Sequence, residues 1–382
     1  MPPPSPFELQ WLSRIDQLSA EQWDALFTDA PPFCRYAFLH ALELSGCVGG
    51  QSGWMPYHLC IRRQGQIVAL APGYLKRHSY GEYVFDWSWA DAYQHHGLTY
   101  YPKWISAVPF SPVTGPRLAL APGIQRQALL AAITPQLHQH GLALGLSGMQ
   151  WLFPGREESL ALSRQQWRQR LDIQFHWHNR GYSNFEQFTD TLTARRRKAI
   201  RKERRCAEGL SIERFEGASI TPALWQQFFL FYQLTYAKRS GHGGYLNQAF
   251  FDALGRTLTD NLVLIMARRG SHWLAGALYL KHQGCLYGRY WGCSEAIDDL
   301  HFELCYYQGI DYCIDHRLSR FDAGAQGEHK LRRGFEPTLT YSNHWVFQPQ
   351  FDQAIAAFVD QETERVQQRL HEYRRLLPFK ST

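Results

Sequence analysis

The segment Gly324-Ala-Gln-Gly-Glu-His-Lys-Leu-Arg-Arg-Gly-Phe335 holds the densest chemistry in the chain. Its glycines let a backbone approach a ligand closely. Glu328, His329 and Lys330 set a carboxylate base, an imidazole proton carrier and a cation side by side. That trio suits a reaction in which a nucleophile loses a proton while negative charge develops nearby, although the same residues also describe a charged surface turn. Two other segments have comparable potential. Phe85-Asp-Trp-Ser-Trp-Ala-Asp-Ala-Tyr-Gln-His-His96 brings Asp86, Asp91, Trp87, Trp89 and His95 within a dozen residues. Val108-Pro-Phe-Ser-Pro-Val-Thr-Gly-Pro-Arg117 is a strand end running into a Gly/Pro turn, where Thr114, Gly115 and Arg117 are suited to holding an anionic group.

Charge adds a fourth candidate. Of the 382 residues, 40 are Lys or Arg and 34 Asp or Glu, a net charge of +6. Eight basic residues crowd into 195–205, against the single acid Glu203, so this window accounts for the whole surplus. Phe185, Phe188, Leu192 and Ile200 recur at helical spacing, which predicts one helix with cationic outer faces. Arg197, Lys198, Arg201 and Lys202 then become phosphate contacts, with a solvated basic face as the plainer alternative.

Other chemistries find less support. His301 with Glu303, Glu328 with His329, His95-His96 and His176-Trp-His178 could offer metal ligands, but none matches a zinc spacing, and adjacent histidines on a strand face opposite ways. No metal is expected. There is no Gly-x-Ser-x-Gly elbow, and only Cys206, beside the basic run, has an activating neighbour. The eight cysteines stand singly, with no Cys-x-x-Cys, and read as reduced thiols. The opening Met1-Pro-Pro-Pro-Ser-Pro lacks signal-peptide character, and no run is long enough to span a bilayer. Cytoplasmic localisation is the expectation.

The elements that must position these residues show a duplication. Tyr57–Lys76 and Leu262–Lys281 both read strand, Arg-Arg/Gly turn, strand, ending Tyr-Leu-Lys, and each follows a similar helix, Phe38-Leu-His-Ala-Leu42 and Phe250-Phe-Asp-Ala-Leu254. A repeat this long implies two equivalent domains and a ligand cleft between them. An N-terminal strand is expected over 7–15, then a helix capped by Ser19 with Gln22 closing a capping box. Phe351, Ile355, Phe358, Val359, Val366, Leu370 and Tyr373 form one stripe of a closing helix. Strands alternating with helices predict α/β (α+β) domains with mixed sheets. The 15% aromatic content supplies core and, in part, cleft lining.

Phe85–Tyr93, Val108–Arg117, Gln174-Phe-His-Trp177 with Gly181-Tyr182, Gly288-Arg-Tyr-Trp-Gly-Cys293 and Gly324–Lys330 together resemble the FemAB-like family of predicted N-acyltransferases, over nearly the whole chain. The resemblance implies two tandem GNAT-like domains with twisted mixed sheets, at 1–180 and 181–347, and a C-terminal helix and tail at 348–382. It implies transfer of an acyl or aminoacyl group to an amine, with Lys330 near the reacting acyl group and the donor phosphate. No tightly bound cofactor is expected. The Arg/Gln-x-x-Gly-x-Gly/Ala loop of acetyl-CoA enzymes is missing, so acyl-CoA and aminoacyl-tRNA both stand as co-substrates. Either Glu328 or His329 is the base. Asp86, Trp87, Trp89, Asp91 and His95 belong to the side of a small-molecule or peptide amine acceptor, and Arg289, Tyr290, Trp291 and Gln326 line the substrate site. The reading from another class is a non-catalytic module binding a phosphorylated ligand or RNA.

Overall fold

The computed structural model describes residues 6–241, 243–325 and 327–380, so Gln326 lies outside the described residues. The chain folds as two compact units: one takes the chain up to Asp172 together with Leu339–Gln368, the other Ile173–Thr338 together with the chain from Arg369 on.

In the first unit Glu8–Leu12, His58–Arg63 and Gln66–Ala71 run antiparallel in sequence order of pairing. Pro72, with no N–H to donate, ends the last of these. The chain resumes as Gly73–Lys76, antiparallel to Lys103–Ser106, which runs parallel to Gly148–Leu152. Ser342–Val346 closes that edge antiparallel. The second unit repeats the order. Ser211–Glu216, Leu262–Arg269, His272–His282 and Cys285–Cys293 pair antiparallel in succession. Cys285–Tyr287 lies parallel to Arg320–Asp322, beside which His176–His178 runs antiparallel.

The two hairpins expected to be equivalent therefore occupy equivalent places, and even their irregularities match: the register shifts at Ile61/Arg62 in one and at Ala267/Arg268 in the other, just before each turn. Gly65 and Gly270, both at positive φ, supply the turns. The preceding helices, Tyr36–Leu44 and Gln248–Thr257, bury the same pattern, Phe38, Leu39, Ala41 and Leu42 against Phe250, Phe251, Ala253 and Leu254. Each unit also takes its closing strand from chain beyond its own central segment: residues 342–346 follow the core of the second unit, and 176–178 follow that of the first. Each sheet is packed by helices over its own core, with Leu59, Ile61, Trp104, Ile133 and Trp151 in the first unit and Val263, Ile265, Tyr279, Ile310 and Phe321 in the second. Fully burying such a side chain stabilises by about 1.5–3 kcal/mol.

Three expectations are adjusted. The first strand is shorter than 7–15, spanning Glu8–Leu12, although Ser19 and Gln22 do form the capping box of the next helix. The single basic helix is two helices, Phe185–Asp190 and Ala194–Arg204. They separate because the backbone between them bonds to the C-terminal tail instead: Thr193 N donates to Pro378 O and Lys380 N to Thr191 O. In the closing helix, Pro349–Arg375, the residues Phe351, Ile355 and Val359 pack with Trp89, Tyr93 and Tyr100, whereas Phe358 is 39% exposed and off the stripe.

His344 shows what burial does to a titratable group here. It is completely buried, with Nε2 2.8 Å from Ser342 Oγ and its ring against Trp89. Burial above all, then the cation of Arg170, pushes it down to about 3. Unfolded chains bind a proton here below about pH 6.5 and the native state does not, so this histidine lowers stability as pH falls from 6.5 towards 3, by about 1.4 kcal/mol per pH unit at most. Urea unfolding of wild type and His344→Asn at pH 7.5 and 5 should show a shallower acid loss in the variant. Equal losses would mean His344 is protonated in the native state.

Candidate active site

Four strand neighbours in the second unit create the site. Cys285–Cys293 and Arg320–Asp322 pair for only three residues and then part. A register shift at Leu278/Tyr279 bends the strand on the other side. Gly288 sits where they separate, and an added Cβ would come within 3.2 Å of Phe321 and 3.3 Å of Tyr279, so a larger residue would press on both rings. The opening is a cavity of about 100 Å³ walled by Tyr279, Arg289, Tyr290, Trp291, Cys305 and Tyr306. The last two come from a single wide helical turn, Glu303–Tyr307, between Leu300–Phe302 and Gln308–Asp315. Such insertions recur at functional sites because they re-aim side chains within a helix.

Arg289 is fixed before any ligand arrives. Its guanidinium, 3% exposed, donates to both carboxylate oxygens of Asp322, at 3.1 and 2.7 Å, and to Gly288 O at 2.8 Å. Burial pushes Asp322 up, but Arg289, His176 and the N–H of Gly324 outweigh it and hold the carboxyl well below its usual range. His176 Nε2 lies 3.9 Å from Asp322 and 3.3 Å from Gln174 Oε1. Burial pushes this imidazole down to about 4, so it is neutral at physiological pH.

The turn carrying Glu328, His329 and Lys330 meets the cavity wall at Tyr306 and Ala323. Gly324, Gly327 and Gly334 adopt φ of 85°, 115° and 83°, left-handed or rarer conformations that L side chains avoid. Lys330 is 2% exposed and donates to Ala323 O at 2.9 Å and Gly324 O at 2.7 Å. Burial pushes it down to about 8 against the opposing pull of Asp322. His329 Nε2 is 2.9 Å from the hydroxyl of Tyr306, and Glu328 accepts a hydrogen bond from Tyr373 instead of facing the cavity. The basic helix packs on this turn: Arg333 donates to Glu203 at 2.9 Å and to the Tyr307 hydroxyl at 3.1 Å. Lys198, Arg201 and Lys202 are exposed. Arg197 turns back to Leu192 O at 3.3 Å, and Arg204 is bound to Glu303 and Asp311.

The structure thus gathers Arg289, Tyr290, Trp291, His329, Lys330 and the basic helix in one unit. Thr114, Gly115 and Arg117 do not join them. Arg117 is fully buried in the first unit and spends its guanidinium on the carbonyls of Leu152, at 2.6 Å, Gly115 and Val113, leaving nothing to bind a phosphate. Asp86 and Trp89 are likewise structural. Asp86 pairs with Lys103 and accepts from Tyr100 at 2.6 Å, while Trp89 lies in a core cluster. On the helix they introduce, Trp87–His95, the side chains of Trp87, Asp91 and His95 remain exposed. Tyr306 and Asp322 were missed, and His176 was weighed only as a metal ligand. His176 lies inside the singled-out Gln174-Phe-His-Trp177 and Asp322 on a short strand just before Gly324; Tyr306 carries no such signal.

The family model described as peptidoglycan biosynthesis/recognition, FemAB_like, matches residues 14–381. The chain belongs to this FemAB-like family, and its topology is that of two repeated units. FemX shares the fold, at 11% identity and a TM-score of 0.53, covering 91% of this chain and 100% of that one. A conserved protein of unknown function from Bacteroides thetaiotaomicron VPI-5482 does so at 9% identity and 0.50, covering 89% and 100%. A tandem GNAT protein from the clavulanic acid biosynthesis pathway is similar at 12% identity and 0.49, covering 90% and 99%. A search of curated proteins finds no match. Among the described residues no helix is long and apolar enough to cross a membrane.

Proposed function

We propose that this protein transfers an acyl or aminoacyl group from a phosphate-bearing carrier, acyl-CoA or aminoacyl-tRNA, to a primary amine of a peptidoglycan-type acceptor. The observation behind this reading is that one small cavity, walled by Arg289 and Tyr306 and bonded through Tyr306 and Ala323 to the Lys330 turn, lies in the same unit as a helix that packs on that turn and exposes a cationic face. The amine attacks the acyl carbon, the carbonyl oxygen takes up negative charge, and the carrier leaves with its electron pair. Lys330 and Arg289 are preorganised cations for the charge that develops, a contribution that is large in a water-poor site. His329 is the better-placed base candidate. Lys198, Arg201 and Lys202 bind the carrier phosphates. The direct test is mass spectrometry of lysine-containing peptides incubated with the protein and either acetyl-CoA or charged tRNA; no transfer from either would reject the reading.

The carrier can be read from salt. Replacing Lys198, Arg201 and Lys202 by Gln removes three exposed charges while keeping helix propensity, so melting should change little. If tRNA is the donor, log affinity should fall steeply with log salt, by about 0.7–0.9 for each phosphate neutralised, and the triple variant should flatten that slope. A CoA donor gives a shallow slope in both. Wild-type affinity and slope for either donor in the variant would leave the helix as a solvated face.

A further inference from the structure

We infer that Tyr306 is a catalytic residue and, with His329, forms a proton relay that carries the amine's proton from the cavity to solvent. This rests on the transferase reading and deepens it. Tyr306 is 5% exposed and walls the cavity, while its hydroxyl lies 2.9 Å from Nε2 of His329, an exposed residue. One phenol therefore spans the distance between the reacting space and a base in contact with water. The wide turn Glu303–Tyr307 aims it there, and its ring is steadied by Phe302 and Phe335.

The imidazole is held as firmly. A Cβ at residue 327 would come within 2.3 Å of the His329 ring, so the ring occupies space that only glycine leaves free, and Phe302 packs beside it. Burial, then the cations of Arg333 and Lys330 on its own turn, push His329 below its ordinary value. Across from it stand the Tyr306 hydroxyl and, through Arg333, the carboxylate of Glu203 on the basic helix. A neutral imidazole ready to accept a proton is the outcome. Glu328, the other candidate base, is engaged by Tyr373.

The step balances as follows. As the amine nitrogen bonds to the acyl carbon, its proton passes to the Tyr306 oxygen while the Tyr306 proton moves to His329 Nε2. The bond from carbon to carrier then breaks, and the carrier takes the electron pair and a proton from solvent. His329 returns its proton to water and the pair is reset. A relay through one added group is ordinary acid–base catalysis, worth typically 10²–10⁴ in rate.

Two measurements test it. The first needs no substrate: NMR titration of the His329 imidazole in wild type and Tyr306→Phe. A hydrogen bond donated to the neutral ring favours that form, so its removal should raise the His329 pKa. An unmoved titration overturns the relay. The second is turnover with acetyl-CoA or aminoacyl-tRNA, whichever the wild type uses. Tyr306→Phe and His329→Gln should each lose about 100-fold or more in kcat with KM little changed, and the double variant should be no slower than the worse single, because both sit on one path. Multiplying losses, or wild-type turnover in Tyr306→Phe, overturn the relay alone. A wild type that transfers from neither donor overturns the transferase reading and the relay with it.

Discussion

Replacing Lys103 by Met is expected to destabilise the protein by about 3–5 kcal/mol, because it leaves buried carboxylates without their cation. Lys103 and the side chains of Lys76, Glu82 and Asp86 are all fully buried in the first unit. The Lys103 ammonium donates to Glu82 at 2.7 Å, to Ser79 at 3.0 Å and to Asp86. Burial alone would push Lys103 down, but the two carboxylates outweigh it and hold the ammonium charged. Burial pushes Asp86 up, and Lys103, with hydrogen bonds from Ser79 and Tyr100, brings it well below its usual range. Glu82, less well partnered, is pushed up to about 7, and Lys76, stacked 3.8 Å over the Trp54 ring, down to about 7. The cluster is neutral as a whole and intolerant of losing one member. Urea unfolding of Lys103→Met should show the loss, and adding Asp86→Asn should restore much of it by removing the stranded charge. A single variant within about 1 kcal/mol of wild type would mean that water reaches these groups.

Sequence pattern revealed what is local and periodic. The hairpins at Tyr57–Lys76 and Leu262–Lys281 were legible because register, turn glycine and alternation all lie within twenty residues. The Pro72 break in one copy is legible afterwards from the same stretch, since proline cannot donate to the next strand. The closing strands were not legible: nothing in 342–346 says that its partner is 148–152 rather than a nearer strand, because that choice is made by packing at long range. The split of the basic helix was hidden for the same reason, being caused by backbone partners at Pro378 and Lys380.

The site divides along the same line. Glu328, His329 and Lys330 were found because titratable groups and glycines crowd one turn, yet composition could not say which would face the cavity. Arg117 misled because an arginine in a Gly/Pro turn looks like an anion site, and only folding shows it directed at carbonyls of its own unit. Asp86 misled likewise, since its partner Lys103 stands seventeen positions away with no periodicity to link them. Tyr306 and His329 are separated by 23 positions and joined by a helical irregularity that no residue pattern announces.

The second large effect concerns Lys330. Lys330→Met should lose about 100-fold or more in turnover, the usual scale for removing one preorganised donor from a transition-state site. The glycines at positive φ shape this turn, and the lysine's charge suits it to chemistry. The structure gives the ammonium a share in both, since it also bonds Ala323 O and Gly324 O. Its removal strands two carbonyls, at a cost of about 1–3 kcal/mol, so circular dichroism and melting must accompany the kinetics. The pH profile then separates the roles. Because Lys330 is pushed down to about 8, a reaction needing its positive charge should slow as pH rises past that value, with the fraction charged. The residual activity of Lys330→Met should lack that alkaline fall. If the lysine merely fastens the turn, turnover should follow the loss of stability and the fall should persist in the variant, and the cation that balances the developing charge would be Arg289.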